Sequence, residues 1–221
     1  MTSIVLIAPP AAGKGTQAKK ISIHYNIPHI STGDLLRNEE MSRTPLGLQI
    51  SEIMQRGDLV DDEIITKLIE QRINYDDCKE GYILDGYPRT IQQAIAYDIM
   101  LEKLNKKSSR VLFLDIAEET ALSRISSRLV CSNCGSSYNT KVEELTPKNN
   151  NMCDKCQGVL HVRADDNEET FRKRFATYKK ETSKLIDYYK NKNMLYEIKI
   201  NETDNVEDTF NKIKKALDNN G

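Results

Sequence analysis

Long apolar runs and tryptophan are both missing from this sequence of 221 residues. No stretch approaches the roughly 18 apolar residues that a membrane-spanning helix needs, so we expect no membrane partner. The first apolar stretch, Ile4 to Ala8, is too short for the core of a secretion signal, and no basic leader precedes it. These absences predict a cytoplasmic protein.

The sequence also lacks an excess of charge, since 32 Lys and Arg face 33 Asp and Glu for a net charge of −1. Binding to a long phosphate backbone depends on clustered Lys and Arg, so this balance argues against a nucleic-acid partner. An Asn-Lys-x-Asp motif is absent, which argues against a guanine-nucleotide switch. Five cysteines are too few for a disulfide scaffold, and in a reducing compartment they indicate metal or thiolate chemistry.

What the sequence does contain is an alternation of short apolar runs with helical patterns, which is typical of βαβ units. The predicted strands are Ser3–Ile7, Tyr82–Leu84, Arg110–Leu114 and Leu195–Ile200. The predicted helices include Lys14–Tyr25, Val206–Leu217 and a segment in which Ile64, Ile65, Leu68, Ile69 and Ile73 recur at helical spacing. The fold class that follows is α/β, with a doubly wound parallel sheet.

Two stretches interrupt the alternation. Residues 31–60 have helical patterns but no strand candidate, which predicts an insertion. Residues 127–166 are rich in Ser, Asn, Cys and Gly and have little apolar periodicity, so something other than burial has to hold them together. The predicted organisation is a core of residues 1–30, 61–126 and 167–221 that carries these two insertions.

The turn between the first strand and the first helix, Ala8 to Thr16, has the setting of a phosphate-binding loop. Backbone N–H groups at a helix N-terminus point towards an anion, and a lysine there reaches the phosphates of a nucleotide. The general pattern GxxxxGK[ST] is broken, because Ala8 replaces its first glycine and Gly15 separates Lys14 from Thr16. The flanking strand and helix still favour a phosphate loop over an ordinary turn with a surface lysine.

Four of the five cysteines form two pairs with the spacing of a zinc site. Cys131-x-x-Cys134 and Cys153-x-x-Cys156 are separated by eighteen residues, within the range of four-thiolate sites. Such a site has no open position and is structural, and it would fold a segment that has little core. Iron is the alternative metal. Cys78 has no partner motif and is predicted to be a small packing residue.

Four longer motifs stand in order along nearly the whole chain. They are Gly13-Lys-Gly-Thr-Gln17, Ser31-Thr-Gly-Asp-Leu-Leu-Arg37, Leu84-Asp-Gly-Tyr-Pro-Arg-Thr90 and Asp165-Asp-Asn-Glu-Glu-Thr-Phe-Arg-Lys-Arg174. Together they resemble the adenylate kinase family of nucleoside monophosphate kinases. The resemblance implies reversible transfer of a phosphoryl group from Mg-ATP to AMP, giving two ADP. It also implies a monomer in which residues 31–60 bind AMP and a zinc-bearing lid, residues 127–166, closes to exclude water.

The resemblance implies six arginines that neutralise the charge of the transition state, for which the bidentate guanidinium is suited. Arg37 and Arg89 would hold the acceptor's phosphate, Arg124 and Arg128 the donor's, and Arg163 and Arg174 both. Lys14 would span the transferring phosphates, and Thr16 would bind near the metal. The other implied ATP residues are Ala11, Ala12, Gly13, Gly15, Ser137 and Tyr138.

For the metal, the resemblance implies that Asp85, at the end of a strand, organises the waters of Mg²⁺, which binds through few carboxylates. Asp115 also ends an apolar strand, but we expect it to cap the next helix. For the acceptor base, the resemblance places Gln93 at adenine, because an amide both donates and accepts, although its helix looks exposed. The other implied AMP residues are Thr32, Gly33, Asp58, Leu59, Val60, Gly86, Tyr87 and Pro88.

Two alternative functions stay open. A kinase for another nucleoside monophosphate would use the same fold, and a substrate assay would separate it. A zinc ribbon that binds nucleic acid would need a basic stripe, but the acidic side chains in the cysteine segment offset its lysines.

The loop departs from the usual pattern of the family at Ala8 and Ala11, where glycine is typical. We expect an active enzyme nevertheless, because Gly13, Lys14 and the charged residues are retained. This expectation requires Ala11 to have a negative φ, where alanine is unstrained.

Overall fold

The computed structural model describes residues 3–55, 60–149, 151–163 and 166–218, leaving aside the side chains of residues 54 and 55. The strands in these ranges are β1 (Ile4–Ile7), β2 (His29–Ser31), β3 (Ile83–Asp85), β4 (Arg110–Asp115), β5 (Arg128–Cys131), β6 (Ser137–Asn139), β7 (Leu160–His161) and β8 (Leu195–Lys199). The α-helices are α1 (Lys14–Tyr25), α2 (Thr32–Met41), α3 (Pro45–Gln55), α4 (Asp62–Ile73), α5 (Ile91–Lys103), α6 (Glu118–Ile125), α7 (Glu168–Asn191) and α8 (Val206–Asp218). Among the described residues, no helix combines the length and the apolar character needed to cross a bilayer.

The central sheet has five strands in the order β2-β3-β1-β4-β8. Strand β1 is parallel to both of its neighbours, with Ile4 opposite Ile83 on one side and Arg110 on the other. The chain therefore adds strands on both sides of β1, and this reversal of order characterises a doubly wound sheet. The predicted α/β fold with a parallel sheet is confirmed.

Continuous apolar runs explain why these strands are central. All four residues of β1 are buried, and Ile83 and Leu84 of β3 are fully buried, as expected of a parallel sheet covered on both faces. Strand β2 escaped the sequence prediction because it has only three residues, of which only Ile30 is both apolar and buried. Cys78 is buried, which agrees with its prediction as a packing residue.

The chain divides into two compact units. The first comprises Met1–Ile7, Ala18–Phe113 and Glu181–Tyr196, and it includes β1 to β3 and α2 to α5. The second comprises Ala8–Gln17, Leu114–Lys180 and Glu197–Gly221, and it includes the predicted phosphate loop, α6 and the four-cysteine segment. The predicted boundaries at 31–60 and 127–166 stay a prediction.

Side-chain caps define the starts of two helices that carry predicted AMP residues, α2 and α5. Ser31 accepts a hydrogen bond from the N–H of Asp34 at the start of α2, and Thr90 accepts one from the N–H of Gln93 at the start of α5. The expectation that Asp115 caps the next helix is wrong. Helix α6 begins after Ala117, which offers no side-chain oxygen, and Asp115 ends β4 two residues earlier.

The four-cysteine segment contains an antiparallel sheet in the order β6-β5-β7. Leu129 pairs with Tyr138 on one side of β5, and Cys131 pairs with Leu160 on the other. A small buried cluster of Cys131, Tyr138, Cys153 and Leu160 lies against this sheet. We call the predicted segment 127–166 the lid. Two of the four residues in its buried cluster are cysteines, so the aliphatic content of that cluster is small.

Candidate active site and four-cysteine cluster

The phosphate loop ends where α1 begins, at Lys14, and the first turn of that helix has no acidic residue. The positive end of the helix dipole is therefore not neutralised by its own side chains. Gly13 has φ +82°, and a Cβ placed on it would meet no atom within 4 Å, so its backbone borders open space. This arrangement suits the close approach of a phosphate to backbone N–H groups.

The expectation that Ala11 has a negative φ is wrong, because its φ is +62°. The loop closes through a hydrogen bond from the N–H of Ala12 to the carbonyl of Pro9, at 3.3 Å, and Ala11 lies inside this turn. An alanine in the left-handed region costs about 1–2 kcal/mol. The loop therefore keeps its shape with a local strain that glycine would not have.

Gln17, one turn into α1, holds the end of the loop through two hydrogen bonds. Its backbone N–H donates to the carbonyl of Gly13 at 3.0 Å, and its buried side-chain Nε2 donates to the carbonyl of Val206 at 3.0 Å. The start of α1 is thereby tied to the start of α8. No pattern in the sequence identifies Val206 as the partner.

Arg124, in the last turn of α6, has a partly desolvated guanidinium. Burial lowers the pKa of Arg124, and the charge of Asp204 offsets this shift only in part. A desolvated cation gains when an anion binds beside it. Its position therefore agrees with the implied role at the donor's phosphates.

Arg128, at the start of β5, lies in a bidentate ion pair that the sequence did not predict. Its Nε donates to Oδ2 of Asp166 at 2.7 Å, and its Nη2 donates to Oδ1 of the same carboxylate. The side chain of Asp166 is fully buried. A phosphate has to bind Arg128 through its third nitrogen, Nη1, or replace this carboxylate.

The other predicted donor residues lie at different depths in the second unit. Lys14, Gly15 and Thr16 are half-buried at the start of α1, Arg163 is half-buried after β7, and Arg174 is exposed on α7. Ser137 is exposed at the start of β6. Tyr138 is instead turned into the lid, towards the cysteines, so its side chain faces away from solvent.

Five of the predicted AMP residues lie together in the first unit. The hydroxyl of Thr32 donates to the carbonyl of Asp85 at 3.2 Å, and Nε of Arg89 donates to the carbonyl of Gly86 at 2.8 Å. Gly86 has φ +89°, and a Cβ there would collide with the Thr32 hydroxyl. A Cβ on Gly33 would lie 3.2 Å from the guanidinium of Arg37, which forms an ion pair with Asp34.

Gln93 is not on an exposed face, as the sequence pattern suggested, since its exposure is 2%. Its Oε1 accepts from the N–H of Arg89 at 2.7 Å, and its Nε2 donates to Oδ1 of Asp62 at 2.6 Å. The amide thus has a fixed orientation, with one N–H and one lone pair outside these two bonds. The sequence analysis did not identify Asp62 as a partner of Gln93.

Asp85, the predicted metal-side carboxylate, has a partner that the sequence analysis missed. Nε2 of His29 lies 3.2 Å from Oδ2 of Asp85, and both side chains are largely buried. The contact arises because β2 and β3 are parallel neighbours, with Ser31 opposite Asp85. Mg²⁺ binds through few carboxylates and retains its waters, so a single carboxylate at this strand end agrees with the predicted role.

Of the remaining predicted AMP residues, Asp58 and Leu59 lie outside the described residues. Val60, Tyr87 and Pro88 are buried, and the Tyr87–Pro88 peptide bond is cis. The hydroxyl of Tyr87 donates to the backbone carbonyl of Gln93 at 3.2 Å, which holds the turn of helix that carries this side chain.

The four cysteines of the two CxxC motifs converge, as their spacing predicts. The sulfur atoms of Cys131, Cys134, Cys153 and Cys156 all lie within 4.8 Å of one another. The sulfur atoms of Cys131 and Cys156 are 3.5 Å apart, and those of Cys134 and Cys153 are also 3.5 Å apart. Sulfur atoms around a tetrahedral zinc ion with bonds of about 2.3 Å are about 3.8 Å apart, so this cluster has the right size and donor chemistry.

The two CxxC turns have the same backbone design. The carbonyl of Cys131 accepts from the N–H of Gly135, and that of Cys153 accepts from the N–H of Gln157, at 3.1 and 2.9 Å. Gly135 and Gln157 both have positive φ, of +65° and +62°. A Cβ on Gly158 would lie 2.8 Å from Sγ of Cys131, so only glycine lets the second turn approach this sulfur.

Tyr138 supports the cluster from the lid interior. Its hydroxyl lies 3.3 Å from Sγ of Cys153 and accepts a hydrogen bond from the N–H of Asp154 at 2.8 Å. The hydrogen bond from Tyr138 lowers the pKa of Cys153 to about 6, which favours the thiolate that a metal requires.

The strand order, the glycine-containing turn after β1 and the lysine at the start of α1 together define a class. They are the features of an α/β protein that binds nucleotide phosphates through a phosphate loop.

Comparison with known proteins narrows this class. The sequence model of the family described as adenylate kinase matches residues 6–194. Adenylate kinase of Clostridium tetani is 44% identical over 97% of this chain and 98% of its own length. Those of Archaeoglobus fulgidus and Methanosarcina barkeri are 44% and 45% identical, over 98% and 97% of this chain and 98% of their own length in each case. The chain belongs to the adenylate kinase family, which confirms the resemblance seen in the sequence.

Proposed function

We propose that this protein catalyses the reversible transfer of a phosphoryl group from Mg-ATP to AMP, giving two molecules of ADP. The observation that carries the proposal is the phosphate loop at the start of α1, in a chain that matches the family over residues 6–194. Phosphoryl transfer needs mainly positioning and charge neutralisation, and the backbone N–H groups of the loop and Lys14 can supply both.

On the donor side, the loop N–H groups and Lys14 hold the phosphates of ATP, and Thr16 lies at the metal-bearing end. Arg124 and Arg128 add positive charge from the base of the lid, with Arg163 and Arg174 joining at closure. The desolvation of Arg124 supports this assignment, because an anion restores the lost solvation. Closure of the lid over ATP excludes water, so the phosphoryl group does not go to hydrolysis.

On the acceptor side, Arg37 and Arg89 hold the phosphate of AMP. Thr32 and Gly86 border its nucleoside. Gln93 reads adenine with the donor and acceptor positions that Arg89 and Asp62 leave. Asp85, which lies 3.2 Å from His29, would hold waters of the metal. Mg²⁺, when bound with ATP, would supply charge neutralisation on the phosphates.

The four-thiolate cluster binds a structural zinc ion, with iron as the alternative metal. Its sulfur spacing and the glycine beside Cys131 support this proposal. Free cysteines throughout the described residues suit a reducing cytoplasm, and the family is commonly monomeric.

The experiment is a coupled assay of ADP formation with AMP, GMP, CMP and UMP as acceptors. We expect AMP to be preferred by at least one order of magnitude, because Gln93 is set to recognise adenine. Preference for another monophosphate would make the chain a different kinase on the same fold. Absence of ADP with all four would refute the proposed function.

A further inference from the structure

We propose that Asn139 is a positioning residue for ATP, which acts by fixing the backbone from which Arg124 and Arg128 extend. The inference rests on the proposed function only in assigning those two arginines to ATP. Asn139 ends β6 in the lid, and its side chain does not take part in the cysteine cluster.

The side chain of Asn139 bonds to two backbone groups and to one side-chain hydroxyl. Its Nδ2 donates to the carbonyl of Arg124 at 2.8 Å. Its Oδ1 accepts from the hydroxyl of Ser127 at 2.9 Å and from the N–H of Lys141 at 2.9 Å. With an exposure of 6%, the amide makes these bonds away from solvent, where they are worth more than at the surface.

The bond to Arg124 has a specific structural reason. Arg124 is in the last turn of α6, whose carbonyls have no partner within the helix. Asn139 supplies a donor to one of them and so acts as a side-chain cap from another element. The direction in which the Arg124 side chain leaves the helix depends on this turn.

The same residue fixes Arg128 through the sheet. Arg128 is the register partner of Asn139 across β5 and β6, and the N–H of Thr140 donates to the carbonyl of Ser127 at 3.0 Å. Only Ser126 and Ser127 separate α6 from β5. Asn139 therefore holds this connection at both Arg124 and Ser127. The Ser127 hydroxyl also lies 3.3 Å from the Arg124 carbonyl and is a second, local donor to that group.

Two substitutions separate these contacts, and a neighbour provides the control. Asn139→Ala removes all three bonds, whereas Asn139→Asp keeps an acceptor for Ser127 and Lys141 but turns an oxygen towards the Arg124 carbonyl. Thr140→Ala is the control, because Thr140 is exposed and contributes its backbone N–H, which alanine retains.

The measurements are the affinity for a non-hydrolysable ATP analogue, the KM values for ATP and AMP, and the metal content of each purified variant. We expect both Asn139 variants to bind the analogue about tenfold more weakly, since small displacements of binding groups have effects of this order or larger. The KM for AMP and the metal content should stay within twofold of the wild type, and Thr140→Ala should match the wild type throughout.

Unchanged analogue affinity in Asn139→Asp would overturn the proposal. So would an equal rise in both KM values or a loss of metal, since either result would mean a general structural role. Formation of ADP by the wild type tests the proposed function separately, because analogue binding does not require AMP to be the acceptor.

Discussion

The parallel strands of the first unit and the lid of the second remain folded by different means. Strands β1 and β3 place continuous apolar side chains, such as Val5 and Leu84, completely out of solvent. The buried cluster of the lid has one aliphatic residue, Leu160, beside Tyr138 and two cysteines. Burial of apolar area stabilises by about 25 cal/mol per Å², so the lid gains little from this source.

Because the sheet buries far more apolar surface than the lid cluster, we expect the two regions to respond to different perturbations. The sheet depends on packing, which no small molecule removes. The lid depends on four thiolates that we expect to share a metal ion, and its order is therefore linked to metal concentration.

The sharpest test of the comparison is removal of the metal. We expect the purified protein to contain one tightly bound zinc or iron ion per chain, and a chelator to unfold the lid while β1 to β4 stay protected. Structural zinc sites contribute on the order of 10 kcal/mol to folding, more than any single packing contact in the lid. Hydrogen exchange with and without chelator measures the two regions separately.

The variant Cys131→Ala should reproduce the effect of the chelator, and Cys78→Ala is its control, since Cys78 lies outside the cluster. Elemental analysis that finds neither zinc nor iron in carefully reduced protein would contradict this prediction.

Matched truncations of a leucine in each region come next. Leu84→Ala should reduce the free energy of unfolding by about 2–5 kcal/mol, because it leaves a cavity in a fully buried strand. Leu160→Ala should increase exchange in the lid and leave the urea midpoint of the main transition nearly unchanged. Equal shifts of that midpoint by the two variants would show that lid and sheet unfold as one unit.

Arg89→Ala tests whether a residue of the first unit can be needed for turnover without contributing to stability. Its guanidinium lies at the surface with a bond to the Gly86 carbonyl, so the urea midpoint should hardly change. Turnover should fall about 10²-fold or more, because a transition-state cation is lost. Arg172→Ala, which removes an exposed arginine paired with Glu168, should keep both activity and stability. Near-normal turnover of Arg89→Ala would exclude its assigned role.

The smallest effects concern the two strained turns, one beside α1 and one in the lid. Ala11→Gly and Gln157→Gly each replace a residue at positive φ, and each should stabilise its turn by about 1 kcal/mol. Ala11→Gly should improve ATP affinity less than tenfold, since the wild type already forms the loop. Gln157→Gly should slow metal loss to a chelator without changing ATP affinity. A gain above tenfold for Ala11→Gly would mean that the natural loop binds ATP poorly.

Prediction from the sequence worked where the signal is local. Helix α1 has the predicted bounds, and β1, β3, β4 and β8 agree within one residue at each end. Local patterns failed for β2, which is too short to show a period. They also failed for Asp115, which was expected to cap the next helix only because it ends a strand. They also misjudged Gln93, because the burial of its helix face depends on Asp62 and Tyr87, which come from other elements.

The sequence by itself determined the class of fold, the phosphate loop and the four cysteines, since each of these is a pattern of neighbours or of fixed spacing. Only the tertiary structure decided that Asp166 pairs with Arg128, that His29 meets Asp85 and that Asn139 holds Arg124. These partners are between 15 and 56 residues apart along the chain. Such pairs form when sheet register and helix packing bring distant side chains within hydrogen-bonding distance, and the energy of each bond is too small to select its own partner in an unfolded chain.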